Sequence, residues 1–149
     1  MIITRIWHFA LLPYLPDLQF KGQLRELVSI MHDWRDKGIT NHLLINKVCF
    51  YPKSELSTYF QHYVTLYHKR YNKSILSKTN VEFVDFAISR PLLSTPIYDG
   101  WHTKEYLRSN MANLWEKHFM GVGKSRISDK EWETLLRGYK EITGEDYKI

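Results

Sequence analysis

In five stretches of this chain apolar side chains recur every three or four positions, and no stretch of comparable length alternates apolar and polar residues with a period of two. A period near 3.6 puts those side chains on one face of a helix, whereas a half-buried strand needs the shorter period. That feature alone predicts an all-α fold. The first stretch carries Leu24, Leu27, Val28, Met31 and Trp34, with Pro16 acceptable in its first turn and Gly38 near its end. Asn41 is a plausible cap for a second helix bearing Leu44, Ile45 and Val48, which Pro52 ends. Ser54 is expected to cap a third, with Leu56, Tyr59, Phe60, Tyr63 and Tyr67 on one aromatic face. Tyr106, Leu107, Met111, Leu114 and Trp115 mark a fourth, starting at about Thr103. Ser128 and Glu131 have capping-box spacing before a fifth, with Trp132, Leu135, Leu136 and Tyr139 inward and Gly144 past its end.

Two segments resist the pattern. Ile2 to Phe9 is short and apolar, readable as a strand or an extended arm, and within 73–100 the run NVEFVDFAI fits a short helix or a strand equally well. A length of 149 residues is that of one ordinary domain. The expected architecture is therefore a compact single-domain helical bundle, 1–149, with an N-terminal extended arm.

Composition narrows the function classes. No apolar run approaches the roughly 18 residues that span a bilayer, and the opening MIITRIWHFALLPYLP lacks the basic and then long apolar regions of a signal peptide. A cytoplasmic protein without a membrane partner is expected. The single Cys49 permits no internal disulfide and no zinc site of paired cysteines. None of the seven histidines forms an i, i+4 pair with a companion carboxylate, so neither a metal nor another cofactor is expected. Lys and Arg exceed Asp and Glu by five, and the pI is near 9.2, which suits a polyanionic partner.

The chemistry-bearing residues gather on the first helix. Gln19, Gln23 and Glu26 are spaced by four and three and so share one face, with Arg25 beside it and Lys21 near. A carboxylate at the edge of a core serves proton transfer or steadies a cation, while amides and Arg bond sugars, phosphates and base edges. The commoner role for such a Glu is an exposed ion pair. Gly22, inside the helix, costs about 1 kcal/mol relative to Ala, and close approach of a backbone or ligand is one reason to keep it. His8 and His42 are further candidates near that face. GVGKSR, at 121–126, lacks the spacing of a phosphate loop and reads as a basic turn touching a DNA backbone or as a solvated turn.

TRIW at 4–7 followed by LPDLQFKGQLRE at 15–26 resembles the opening of the pyrimidine-dimer DNA glycosylases of the phage endonuclease V type and their bacterial homologues. More loosely, NHLLINKV at 41–48, YPKSELSTYFQHYV at 51–64, HTKEYLRSNMANLWEKH at 102–118 and DKEWETLL at 129–136 are similar to later parts of that family. The resemblance implies a monomeric helical enzyme acting on damaged duplex DNA. In the implied cycle the chain's first amine attacks the sugar C1′ and expels the base. The resulting imine is resolved by β-elimination with strand cleavage. Glu26 corresponds to the family's catalytic glutamate, Thr4 to its N-terminal nucleophile, and Arg5 and Arg25 to arginines on the backbone and lesion. An arginine one turn past the glutamate corresponds here to Ser29, and a histidine before it to Gln19.

An α-amine with a pKa near 8 is partly neutral at pH 7, which suits a nucleophile. Met1, Ile2 and Ile3 precede Thr4, however, and three extended residues reach on the order of 10 Å. Three routes stay open: a Met1 amine folded back to the site, a chain trimmed to Thr4, or water activated by Glu26. Two other function classes also stay open, a non-catalytic or differently specific DNA-binding member of the same fold and a helical protein-interaction domain using its aromatic face.

Overall fold

The computed structural model describes residues 6–37, 51–73, 81–88, 92–93 and 97–149. Among them every regular element is helical: a 3-10 segment Phe9–Tyr14, α1 (Asp17–Lys37), α2 (Lys53–Tyr71), α3 (Val81–Ile88), α4 (Lys104–Phe119), a 3-10 turn Gly123–Ser125, and α5 (Asp129–Thr143). The all-α expectation holds for this part of the chain. The helix expected after Asn41 lies outside the described residues, as do Met1, Thr4, Arg5 and His42. Of the N-terminal arm, Ile6–His8 is described, without regular structure.

By internal contacts the chain divides into two compact units, one made of Ile6 and the described part of Gly22–Tyr98, the other of Trp7–Lys21 and Asp99–Ile149. In the first unit α2 packs against α3, with the Phe60 and Phe83 rings 4.8 Å apart. Leu27, Ile30 and Met31 of α1 are buried, as are Leu56, Tyr59, Phe60 and Tyr63 of α2. Here the expected α1 stripe is corrected. Leu24 and Val28 are only half-buried, and Gln23, Leu27 and Ile30 form the fully buried row. Both rows satisfy a 3.6 period, and packing selects between them.

Ser54 does not cap α2. Pro52 occupies the cap with extended φ and ψ of −56° and 143° and no side-chain bond. Its carbonyl accepts the Glu55 N–H at 3.0 Å. Proline is already locked at the φ a helix entry needs, so the helix starts two residues earlier than a Ser54 cap would set it. The segment NVEFVDFAI resolves as helical from Val81.

In the second unit the Phe9–Tyr14 segment and α4 each pack on α5. Thr103 caps α4 by accepting the Tyr106 N–H at 3.1 Å. Ser128 and Glu131 form a reciprocal capping box on α5, at 2.9 and 3.1 Å. Gly144 ends α5 at φ 77°, a left-handed conformation that favours glycine. Leu107, Met111 and Leu114 are buried on α4, and Leu135 and Tyr139 on α5, while Trp132 and Leu136 are half-buried.

Candidate functional site

α1 places Gln23 and Glu26 one turn apart, and the structure joins them. The Gln23 amide Nε2 donates to Glu26 Oε2 at 3.3 Å. Gln23 is itself almost fully buried, at 1% exposure, among apolar side chains. A buried amide there is costly unless its polar atoms are paired. Its Oε1 accepts the Tyr59 hydroxyl at 3.2 Å, across from α2. The chain Tyr59, Gln23, Glu26 thus fixes the amide: the hydroxyl donates to its oxygen, so its NH₂ must face the carboxylate. Glu26 is half-buried at the edge of this row. A carboxylate oriented in this way suits proton transfer or stabilisation of positive charge, because little reorganisation is needed as the charge develops.

Arg25, the next residue on the helix, is exposed. Its guanidinium lies 3.7 Å from where a Cβ on Gly22 would stand, and nothing else beyond the helix's own backbone comes within 4 Å of that point. Protein packing among the described residues therefore does not require the glycine. The other α1 candidates, Gln19 and Lys21, belong to the second unit. Lys21 is exposed, and Gln19 Oε1 is buried with no hydrogen-bond partner among the described residues.

His8, also in the second unit, has both ring nitrogens committed to structure. Its Nδ1 accepts the Ala10 N–H at 3.1 Å, so Nε2 carries the proton and donates to the His102 carbonyl at 3.0 Å. Its backbone N–H donates to Asn110 Oδ1 at 2.7 Å. Burial pushes the His8 pKa below the ordinary histidine value, partly offset by the bond to His102. A neutral imidazole that caps the 3-10 segment is what this geometry describes.

The Gln23–Glu26 pair is legible in its three-residue spacing, whereas the part played by Tyr59 is not. That residue sits on the apolar stripe of α2, and nothing in the sequence distinguishes a core tyrosine with a partnered hydroxyl from its neighbours. Among the described residues no group of three His, Cys, Asp or Glu side chains is placed to hold a metal ion, and no helix is long and apolar enough to cross a membrane. No family model matches this chain, and no curated protein or solved structure shows significant similarity to it.

Proposed function

We propose that this protein is a DNA glycosylase with AP lyase activity that excises damaged bases, pyrimidine dimers among them, from duplex DNA, with Glu26 as its catalytic carboxylate. The observation that carries the reading is the Tyr59–Gln23–Glu26 chain, which uses two buried polar side chains to orient one half-buried carboxylate. A helical glutamate with only a surface role needs no such support. The motif LPDLQFKGQLRE, in which Glu26 stands where the glycosylase family has its catalytic glutamate, supplies the reaction class. A neutral terminal amine attacks C1′ and the damaged base leaves with its bonding pair and takes up a proton; the C1′–O4′ bond then breaks, O4′ taking the proton the amine gives up, and the ring-opened imine loses its C2′ proton as the 3′ phosphate departs with its bonding pair. Glu26 is the group that takes or returns protons at the sugar and faces the cationic imine.

The test is a panel of duplexes carrying pyrimidine dimers, other damaged bases or an abasic site. Wild-type protein is expected to release base or nick the strand, and Glu26→Gln to lower that rate on the order of 10²- to 10⁴-fold with DNA affinity retained. Borohydride present during turnover traps an imine as a stable protein–DNA adduct, which peptide mass spectrometry places on the terminal residue. Turnover without an adduct assigns the reaction to water activated by Glu26 instead. Wild-type rates in Glu26→Gln would remove Glu26 from the mechanism.

A further inference from the structure

The last turn of α4 and the turn that follows present apolar side chains to solvent in a way no other described segment does. Of the six large hydrophobic residues well exposed among the described residues, Phe119, Met120 and Val122 fall within four consecutive positions, at 68, 73 and 79% exposure. Scattered exposed apolar residues are ordinary, whereas a cluster marks a surface that meets something.

The tip is built, not loose. The Met120 N–H donates to Glu116 O at 2.8 Å, and the Ile127 N–H donates to Lys117 O at 3.2 Å, closing the turn back onto the helix end. A Cβ on Gly121 would stand 2.2 Å from Lys117 O and 3.0 Å from the Arg126 Cα, so the closure requires glycine. Ser125 Oγ donates to Val122 O at 3.0 Å. His118 Nδ1 donates to Ile127 O at 2.9 Å, with its ring stacked on Trp132, 5.6 Å away at 9°. Within this frame the Phe119 ring lies nearly parallel to Trp115, at 6° and 4.9 Å between centroids. One face of Phe119 is thus backed by an indole, and most of the side chain remains in water.

The sequence around the tip is rich in cations. Lys117, Lys124, Arg126 and Lys130 lie within the same stretch as Glu116 and Asp129, leaving an excess of positive charge. Arg126 lies 3.4 Å from Asp129, while Lys117, Lys124 and Lys130 have no ion pair among the described residues. An open aromatic face beside unpaired cations is complementary to a nucleotide, whose base has a π-face and whose phosphate carries the charge.

We propose that the open face of Phe119, backed by Trp115, is a stacking platform for an unpaired nucleobase, with Lys124 meeting the adjoining phosphate. The proposal builds on the DNA reading above and adds a second binding site, in the second unit. Base stacking of this kind is sequence-tolerant, so the platform receives any base left unpaired by a lesion or by its extraction.

The test uses the full chain and two duplexes, one fully paired and one with a single unpaired 2-aminopurine. Wild-type protein is expected to quench the 2-aminopurine on binding. Phe119→Ala should lose the quench and bind the unpaired duplex roughly five- to a hundredfold more weakly, with little change on the paired duplex. Lys124→Gln should keep the quench and show a shallower dependence of affinity on salt. The 68% exposure of Phe119 makes its truncation compatible with folding, which circular dichroism verifies. Wild-type affinity and quench in Phe119→Ala overturn the platform. So does Phe119-dependent binding to phosphatidylglycerol vesicles, or Phe119-dependent self-association, with no effect on the quench. The two readings fail separately. Quenching lost in Phe119→Ala while wild-type protein cleaves no damaged duplex upholds the platform and rejects the glycosylase; cleavage with an unaltered quench in Phe119→Ala does the reverse.

Discussion

His102 shows how a single residue sets a condition on the fold. Its Nδ1 accepts the Phe9 N–H at 2.9 Å, and its ring stacks on His8 and on Tyr106, each 5.2 Å away. Burial, reinforced by repulsion from His8, pushes its pKa down from 6.5 to about 2. The folded value lies below the unfolded one, so the unfolded chain takes up a proton at about pH 6.5 that the folded chain refuses. The stability contributed by the neutral ring is complete above pH 6.5 and declines as pH falls from there toward 2, by about 1.4 kcal/mol per pH unit. His8, shifted in the same direction, adds to the decline. Urea unfolding at pH 7.5 and pH 5.0 should show a loss on the order of 2 kcal/mol from His102, and His102→Asn should flatten the profile by that amount. A wild-type stability unchanged between those pH values would mean that both rings titrate freely in the folded protein. No local pattern announces this clamp, because His8 and His102 are 94 positions apart and only the packed unit brings them together.

At the scale of elements, two helical glycines lead to opposite predictions. On α5, a Cβ at Gly138 would lie 2.4 to 2.8 Å from the ring carbons of Tyr14, so the 3-10 segment packs directly onto bare helix backbone. Gly138→Ala should cost roughly 1–3 kcal/mol in urea unfolding, through displacement of that ring. On α1, Gly22 has ordinary space, with Arg25 Nη2 at 3.7 Å as its nearest neighbour. Gly22→Ala should therefore stabilise the protein by about 1 kcal/mol. On the proposed DNA reading it should also weaken binding, by adding bulk where a ligand would approach beside Glu26. A stabilised variant with wild-type DNA affinity would take Gly22 out of the interface. The sequence signalled the Gly22 question but not Gly138, whose constraint comes from a segment 124 positions away. The same division runs through the fold. Ser128 and Glu131 were legible as a capping box because capping is decided within four residues. The buried face of α1 was not, because the row with Leu24 and Val28 and the row with Gln23, Leu27 and Ile30 satisfy one periodicity equally well and only the packed unit separates them. The eight residues of α3 are too few for periodicity to separate helix from strand, and contacts such as Phe60 on Phe83 make the choice. Tyr98, buried at φ 58°, is a left-handed bulky residue that no local pattern announces.

For the whole molecule the relevant quantity is charge. A net charge of +5 and a pI near 9.2 are compatible with many partners, but a nucleic-acid partner makes a quantitative demand that the others do not. Each phosphate neutralised on duplex DNA releases condensed counterions, so log K falls against log salt with a slope of about −0.9 per contact. Between 50 and 200 mM salt one contact therefore changes affinity by roughly three- to fourfold. Arg25 is exposed on α1 one position before Glu26, and Arg5 stands where the resemblance places a backbone arginine. Arg25→Ala and Arg5→Ala should each weaken binding to an abasic duplex and lower the slope by about 1. Glu26→Gln, which removes a negative charge without removing a cation, should leave the slope no shallower than wild type while abolishing turnover. Fluorescence anisotropy at four or five salt concentrations measures all of these slopes. Equal slopes in wild type and both arginine variants would show that neither side chain reaches a phosphate. Absence of any DNA affinity at 50 mM salt would reject the nucleic-acid partner itself and leave the exposed surface to another protein.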